Sequence, residues 1–209
     1  MKRLLCYGDS NTYGHKPEDG SRLPYESRWP GILAGLLGSE WQVVEEGLCG
    51  RTISRDDPTT SGRNGLTYLE PCMLSQFPLD KMIIMLGTND LQCVYSAIPQ
   101  TVAQSMEYLI RQSQRIIAAS QQQTELILVS PIHIGNTNVH DFFRDLFPVG
   151  RSDCSSKRLA PLYEDIASRC GCRYLDASKV AEPSPIDGLH MDAENHKKLA
   201  TALYQMIAR

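Results

Sequence analysis

The sequence predicts a three-layer α/β/α sandwich around a central five-stranded parallel sheet. Three observations lead there. Five short apolar runs rich in strand formers recur along the chain, helical patterns separate them, and polar segments capable of chemistry fall at or after strand ends. The 209 residues suit one domain, 1–209, with a full-sized core.

The first run, Arg3 to Tyr7, delivers Gly8-Asp9-Ser10-Asn11-Thr12-Tyr13-Gly14, a serine where a strand should give way to a helix. Trp29 to Leu37 reads as a helix, and Trp41 to Glu45 as the second strand, with Gly47 just beyond it. A long connection rich in polar, Gly and Pro residues follows, Arg51 to Pro71. The third strand, Lys81 to Leu86, runs into Gly87-Thr88-Asn89-Asp90. Pro99 to Ala119 opens with proline and sets Val102, Met106, Leu109, Ile110, Ile116 and Ile117 near helical spacing, so one apolar face should cover the sheet.

After the fourth strand, Glu125 to Ser130, a second long connection runs from Pro131 to Arg151. Loops beyond about 12–15 residues in a compact domain are usually functional or disordered. This one carries Phe142, Phe143 and Phe147, three of the four phenylalanines in the chain, and is expected to cover a pocket or a subunit contact. Lys157 to Arg169 reads as a helix and Cys172 to Leu175 as the fifth strand. Asp187-Gly188-Leu189-His190 and a final helix, Ala193 to Ile207, complete the chain.

Composition excludes several classes of function. A net charge of -3, with 21 Lys and Arg scattered along the chain, supplies no basic field for a phosphate backbone, so nucleic acid is not an expected partner. The apolar stretch Leu4 to Tyr7 is too brief for a signal-peptide core of about 7–15 residues. No window approaches the roughly 18 apolar residues of a membrane span, so a cytoplasmic protein that does not engage a membrane is expected. Seven cysteines are an odd number, and Cys170-Gly171-Cys172 leaves one residue where zinc motifs leave two or more, so reduced structural thiols and no metal or other cofactor are expected.

In open parallel sheets, ligands bind beyond the carboxyl ends of the strands, where Ser10, Gly47 and Asn89 all lie. A serine hydroxyl is a weak nucleophile at neutral pH. It needs a histidine to take its proton, a carboxylate to orient that histidine, and donors for the oxyanion that forms. His190 and Asp187 are the candidates for the first two roles. Each segment also has a plain reading: Asp9 and Ser10 as a helix cap, Gly87 to Asp90 as a turn, Gly47 as a turn glycine, Asp187 and His190 as the start of a surface helix. Two other classes of function stay open at this point. One is a flavodoxin-like phosphate-binding module on the first turn, although that turn lacks a phosphate-loop lysine or a Gly-x-Gly-x-x-Gly pattern. The other is a metal hydrolase using His133, His140, His190 and nearby carboxylates, although no His pair shows ligand spacing on a helix.

Taken together and in order, the four segments resemble the four blocks of the SGNH hydrolases, also called the GDSL esterase and lipase superfamily, over nearly the whole chain. The resemblance implies the flavodoxin-like fold of that superfamily, with Ser10 as nucleophile and Asp187 and His190 completing the triad. It also implies an oxyanion hole made of the Ser10 and Gly47 backbone N–H groups and the Asn89 side-chain amide. Glu45-Glu46-Gly47-Leu48, Arg51-Thr52, Asp56-Asp57-Pro58-Thr59, Asn64-Gly65 and Ile83 to Asp90 are similar to the bacterial arylesterase and acyltransferase branch, which also performs perhydrolysis. That branch implies a small ester of a short acyl group as substrate, and a homo-oligomer, with an octamer among the assemblies it suggests. Asn11, Tyr13 and Cys49 depart from the branch's pattern, which puts efficient acyl transfer in question but not the branch itself. Asn11, Leu48, Gln92, Val94, Tyr95, Phe142, Phe143 and Leu189 flank the site segments and are the expected substrate-binding residues. A carbohydrate acetylesterase acting on xylo-oligosaccharides would use the same triad, so only the pocket separates it from an arylesterase.

Overall fold

The computed structural model of the chain describes residues 1–208. Five parallel strands, β1 (Lys2–Gly8), β2 (Trp41–Gly47), β3 (Lys81–Met85), β4 (Glu125–Ser130) and β5 (Arg173–Asp176), form one sheet in the order β2-β1-β3-β4-β5. The order reverses between β1 and its two neighbours, which opens a crevice beyond the carboxyl end of β1. In register, Gly8 faces Gly47 of β2 on one side and Met85 of β3 on the other, so the first three site segments leave the sheet side by side.

Side chains alternate along each strand, and the alternation builds two cores. Leu5 and Tyr7 of β1, Met82 and Ile84 of β3, and Leu126 and Leu128 of β4 pack on one face. There they meet α3 (Gly65–Gln76), α4 (Pro99–Ala119) and α7 (Leu159–Cys170) through Leu69, Met106, Leu109 and Tyr163. Leu4, Cys6, Ile83, Met85, Ile127 and Val129 face the other way, onto Trp29 and Leu33 of α2 (Trp29–Leu37) and Leu199 and Leu203 of α8 (Ala193–Ile207). With both faces covered, the strands read as continuous apolar runs.

The expected long connection Arg51 to Pro71 contains the whole first half of α3, capped by Asn64, whose side chain accepts from the Thr67 N–H. Pro71 inside this helix is what hides it in the sequence, because proline removes one helical donor and usually ends a helix. The second connection also holds structure: α5 (Asp141–Leu146) lies within it, and α6 (Ser152–Lys157) directly follows it. The expected helix Lys157 to Arg169 begins later, as α7, because α6 ends at Lys157 and Arg158 caps both helices.

Among the described residues, no helix is long and apolar enough to cross a membrane.

Candidate active site

Beyond β1 lies α1 (Ser10–Tyr13), a single turn with Ser10 at its first position. Asp9 caps it, its Oδ1 accepting from the Asn11 N–H at 3.0 Å, and the backbone leaves through left-handed Gly14. The cap is therefore real, and it serves to hold Ser10 at the crevice. Burial raises the Asp9 carboxyl to about 6, and the Asn11 N–H and nearby positive charge only partly oppose this.

Asp187 and His190 arrive from the opposite end of the chain on a tight turn. Gly188 sits at φ +70° with its α-carbon against the Asn136 and Thr137 backbone, so a side chain there would be both strained and blocked. Backbone bonds from Gly188 to Ser184 at 2.8 Å, Ser184 to His190 at 2.7 Å and Gly135 to Gly188 at 2.8 Å clamp the turn. Asp187 Oδ1 accepts from the N–H groups of Leu189 and His190, both at 2.9 Å, while its Oδ2 lies 2.6 Å from His190 Nδ1. Burial pushes the Asp187 carboxyl up, but the bond and charge of His190 and the two backbone donors outweigh it, holding the group below its ordinary value. The other imidazole nitrogen, Nε2, is 2.9 Å from Ser10 Oγ. A hydroxyl, an imidazole and a carboxylate thus stand in series across 180 residues of sequence.

The Asn89 amide also faces the site. One of its two N–H groups donates to the Arg51 carbonyl at 3.1 Å, and its Oδ1 accepts from Gln92 Nε2 at 3.2 Å. That fixes the side chain and leaves the second N–H for a ligand. Behind it, burial raises the Asp90 carboxyl to about 7, although Asp90 accepts from the Ile53 N–H.

At Gly47, an added β-carbon would meet Tyr13 N at 2.2 Å and Thr12 C at 2.6 Å. These are backbone atoms of α1, which no rotamer can move aside. Gly47→Ala is expected to push α1 away from β2, destabilising the protein by about 1–3 kcal/mol and lowering activity through the displaced Ser10. Thermal melting read beside ester hydrolysis checks both effects.

A cavity of about 400 Å³ opens over Ser10, His190 and Asn89. Gln92, Val94, Tyr95, Phe142, Phe143 and Leu189 line it, whereas Asn11 and Leu48, also expected to contact substrate, do not. Asn11 is buried beneath the site, its Nδ2 donating to the Leu189 carbonyl at 3.3 Å and its Oδ1 accepting from the Met191 N–H at 2.9 Å. It ties the serine segment to the histidine segment, a bracing task that engages both ends of its amide. Leu48 is held at the end of β2 by a bond from its N–H to the Gly8 carbonyl at 3.1 Å. Arg51 is likewise structural, its guanidinium bonded to the Gly8 and Glu46 carbonyls and stacked over Tyr7.

The sequence reading missed several wall residues. Cys49, Gly50, Asp57, Pro58, Thr59 and Arg63 form a polar side, and Leu146 extends the apolar one beside Phe147, whose loop was expected to cover a pocket or a subunit contact. His15 was missed as well, and its ring centroid lies 4.0 Å from that of His190. Its one sequence signal is its position directly after Gly14, where the chain leaves the serine turn. His15, Asp187 and His190 offer three ligand-type atoms within 4.8 Å, the one such cluster among the described residues. Both nitrogens of His190 are already committed to Ser10 and Asp187.

A model of the GDSL-like Lipase/Acylhydrolase family matches residues 6–198. The chain belongs to that family. It is a carboxylic ester hydrolase of the SGNH, or GDSL, type. Among solved structures, a carbohydrate acetylesterase from Sinorhizobium meliloti is 33% identical, covering 100% of this chain and 99% of its own, with a TM-score of 0.93. The aryl esterase of M. smegmatis is 35% identical over 100% of this chain and 99% of that one, with a TM-score of 0.92. A putative arylesterase from Agrobacterium tumefaciens is 35% identical with the same coverage and a TM-score of 0.88. No curated protein matches the chain. With TM-scores of 0.88 to 0.93, these structures share the overall α/β fold of this chain.

Proposed function

We propose that this GDSL hydrolase cleaves small esters of short, acetyl-type acyl groups through a Ser10-His190-Asp187 triad and an acyl-enzyme. The supporting observation is the series of short contacts, 2.9 Å from Oγ to Nε2 and 2.6 Å from Nδ1 to Oδ2, set at the floor of a cavity. Ser10 Oγ attacks the ester carbonyl while His190 takes its proton, and Asp187 steadies the imidazolium. The oxyanion is received by the Asn89 amide and the Ser10 and Gly47 N–H groups. His190 returns the proton to the leaving alcohol, then activates a water that releases the acid and restores Ser10.

Asn89→Ala is expected to lower kcat by about 10²–10³ with little change in KM, because its free N–H matters most when the carbonyl oxygen carries charge. Steady-state kinetics on p-nitrophenyl acetate check it.

The apolar wall of Val94, Tyr95, Phe142, Phe143 and Phe147 supports acyl transfer to another alcohol, or to peroxide, in competition with water. Exposed Val94, Ile98, Val139 and Phe142 support a homo-oligomer, which sedimentation would test. The polar side of the cavity favours a second reading. Asp57, Thr59 and Arg63 offer hydrogen-bonding groups suited to a sugar, as in a carbohydrate acetylesterase.

The deciding experiment compares p-nitrophenyl acetate with the p-nitrophenyl ester of an eight-carbon acid, and phenyl acetate with acetylated xylose. Preference for the acetate and for phenyl acetate supports the small-ester reading. Preference for acetylated xylose selects the carbohydrate reading, and inactivity on all four rejects both.

A further inference from the structure

The His190 ring is held on more sides than the triad requires. Its two nitrogens are taken by Ser10 and Asp187, and the His15 ring lies over it at 4.0 Å with a tilt of 35°. Phe143 meets His190 edge-on, with centroids 5.2 Å apart and planes at 62°, and meets His15 at 6.3 Å and 77°. The three rings form one packed group at the cavity wall, and the His140 ring lies 4.6 Å from Phe143 at a tilt of 35°.

His15 is fixed from its backbone. Its N–H donates to the Ser10 carbonyl at 3.0 Å, and the residue bridges to Arg22. Gly14 before it lies at φ +85°, a left-handed conformation that turns the chain and sets the direction in which His15 leaves the serine turn. Neither of its ring nitrogens makes a hydrogen bond among the described residues. Hydrogen bonding therefore does not explain the placement, whereas the face of His190 does.

From this geometry we infer that His15 is a positioning residue for the acyl-transfer reaction: its neutral ring covers and supports His190 as that imidazole becomes charged, and a proton on His15 withdraws the support. The inference rests on the triad reading above. When His190 takes the Ser10 proton, a neutral aromatic face beside it favours the cation. A second positive charge about 4 Å away would oppose it.

At neutral pH His15 is poised in the supporting state. Burial holds its imidazole down to about 4; charge on His190 and His140 acts in the same direction, and Asp187 and Asp19 act against it. His15 gains its proton only as the pH falls through that value.

The test is the pH dependence of p-nitrophenyl acetate hydrolysis by the full chain, with wild type beside His15→Leu and His15→Phe. His15→Leu should lower kcat about tenfold with little change in KM, and His15→Phe, which restores an uncharged aromatic face, should recover most of that loss. As the pH falls through about 4, log kcat/KM should fall more steeply in the wild type than in His15→Phe. Either of two results overturns the inference: equal kcat in the leucine and phenylalanine variants, or superimposable acid limbs in wild type and His15→Phe. If the leucine variant does not fold, the comparison of slopes decides alone. A wild type inactive on the ester would overturn the triad reading and this inference together, a failure recognisable because it needs no variant.

Discussion

Replacing Ser10 with alanine lowers turnover of p-nitrophenyl acetate by about 10⁶-fold on the precedent of serine proteases, with the melting temperature nearly unchanged. The size follows from the chemistry, since no other hydroxyl stands at hydrogen-bond distance from His190 Nε2 among the described residues. Stability should hold because Oγ carries no part of the α1 cap: the cap bond runs from the Asn11 N–H to Asp9. Activity that persists in a folded Ser10→Ala protein would place the chemistry on another group. Steady-state rates and circular dichroism on the same samples separate the cases.

The second large effect is Asp187→Asn, for which turnover falls by about 10⁴-fold, as in the corresponding protease variant. Asp187 Oδ1 is committed to the N–H groups of Leu189 and His190, so an asparagine would keep its carbonyl there and turn its NH₂ toward His190 Nδ1. The imidazole would then carry its proton on Nε2 and could no longer accept one from Ser10. Nitrogen-15 chemical shifts of the His190 ring should report the changed tautomer. An Asp187→Asn protein with near wild-type turnover would remove Asp187 from the mechanism.

Much of this molecule is legible in its sequence because the sheet is buried on both faces. Runs such as Glu125 to Ser130 have no polar face to blur them, and α4, with its proline start and clear apolar stripe, is bounded as expected at Pro99 and Ala119. Where local signals conflict with tertiary packing, the reading fails. α3 is masked by Pro71, and its stability comes from Leu69, Cys72 and Met73 packed beneath the sheet. At the site, the segments bearing Ser10, Asn89, Asp187 and His190 stand out because their residue types are chemically specific, and the structure brings those residues together. The wall residues carry no such signature. Asn11 flanks Ser10 but points into the scaffold, while His15, four residues further on, reaches the His190 ring. Only the path of the backbone through Gly14 decides between them.

The most direct measurement of the central claim is the mass of the intact protein, and of its peptides, after exposure to an organophosphate that phosphorylates activated serines. The account predicts a single adduct on the peptide containing Ser10, formed in step with loss of esterase activity, and no adduct on Ser10→Ala. An adduct elsewhere that tracks inactivation, or complete inactivation with Ser10 unmodified, would contradict it.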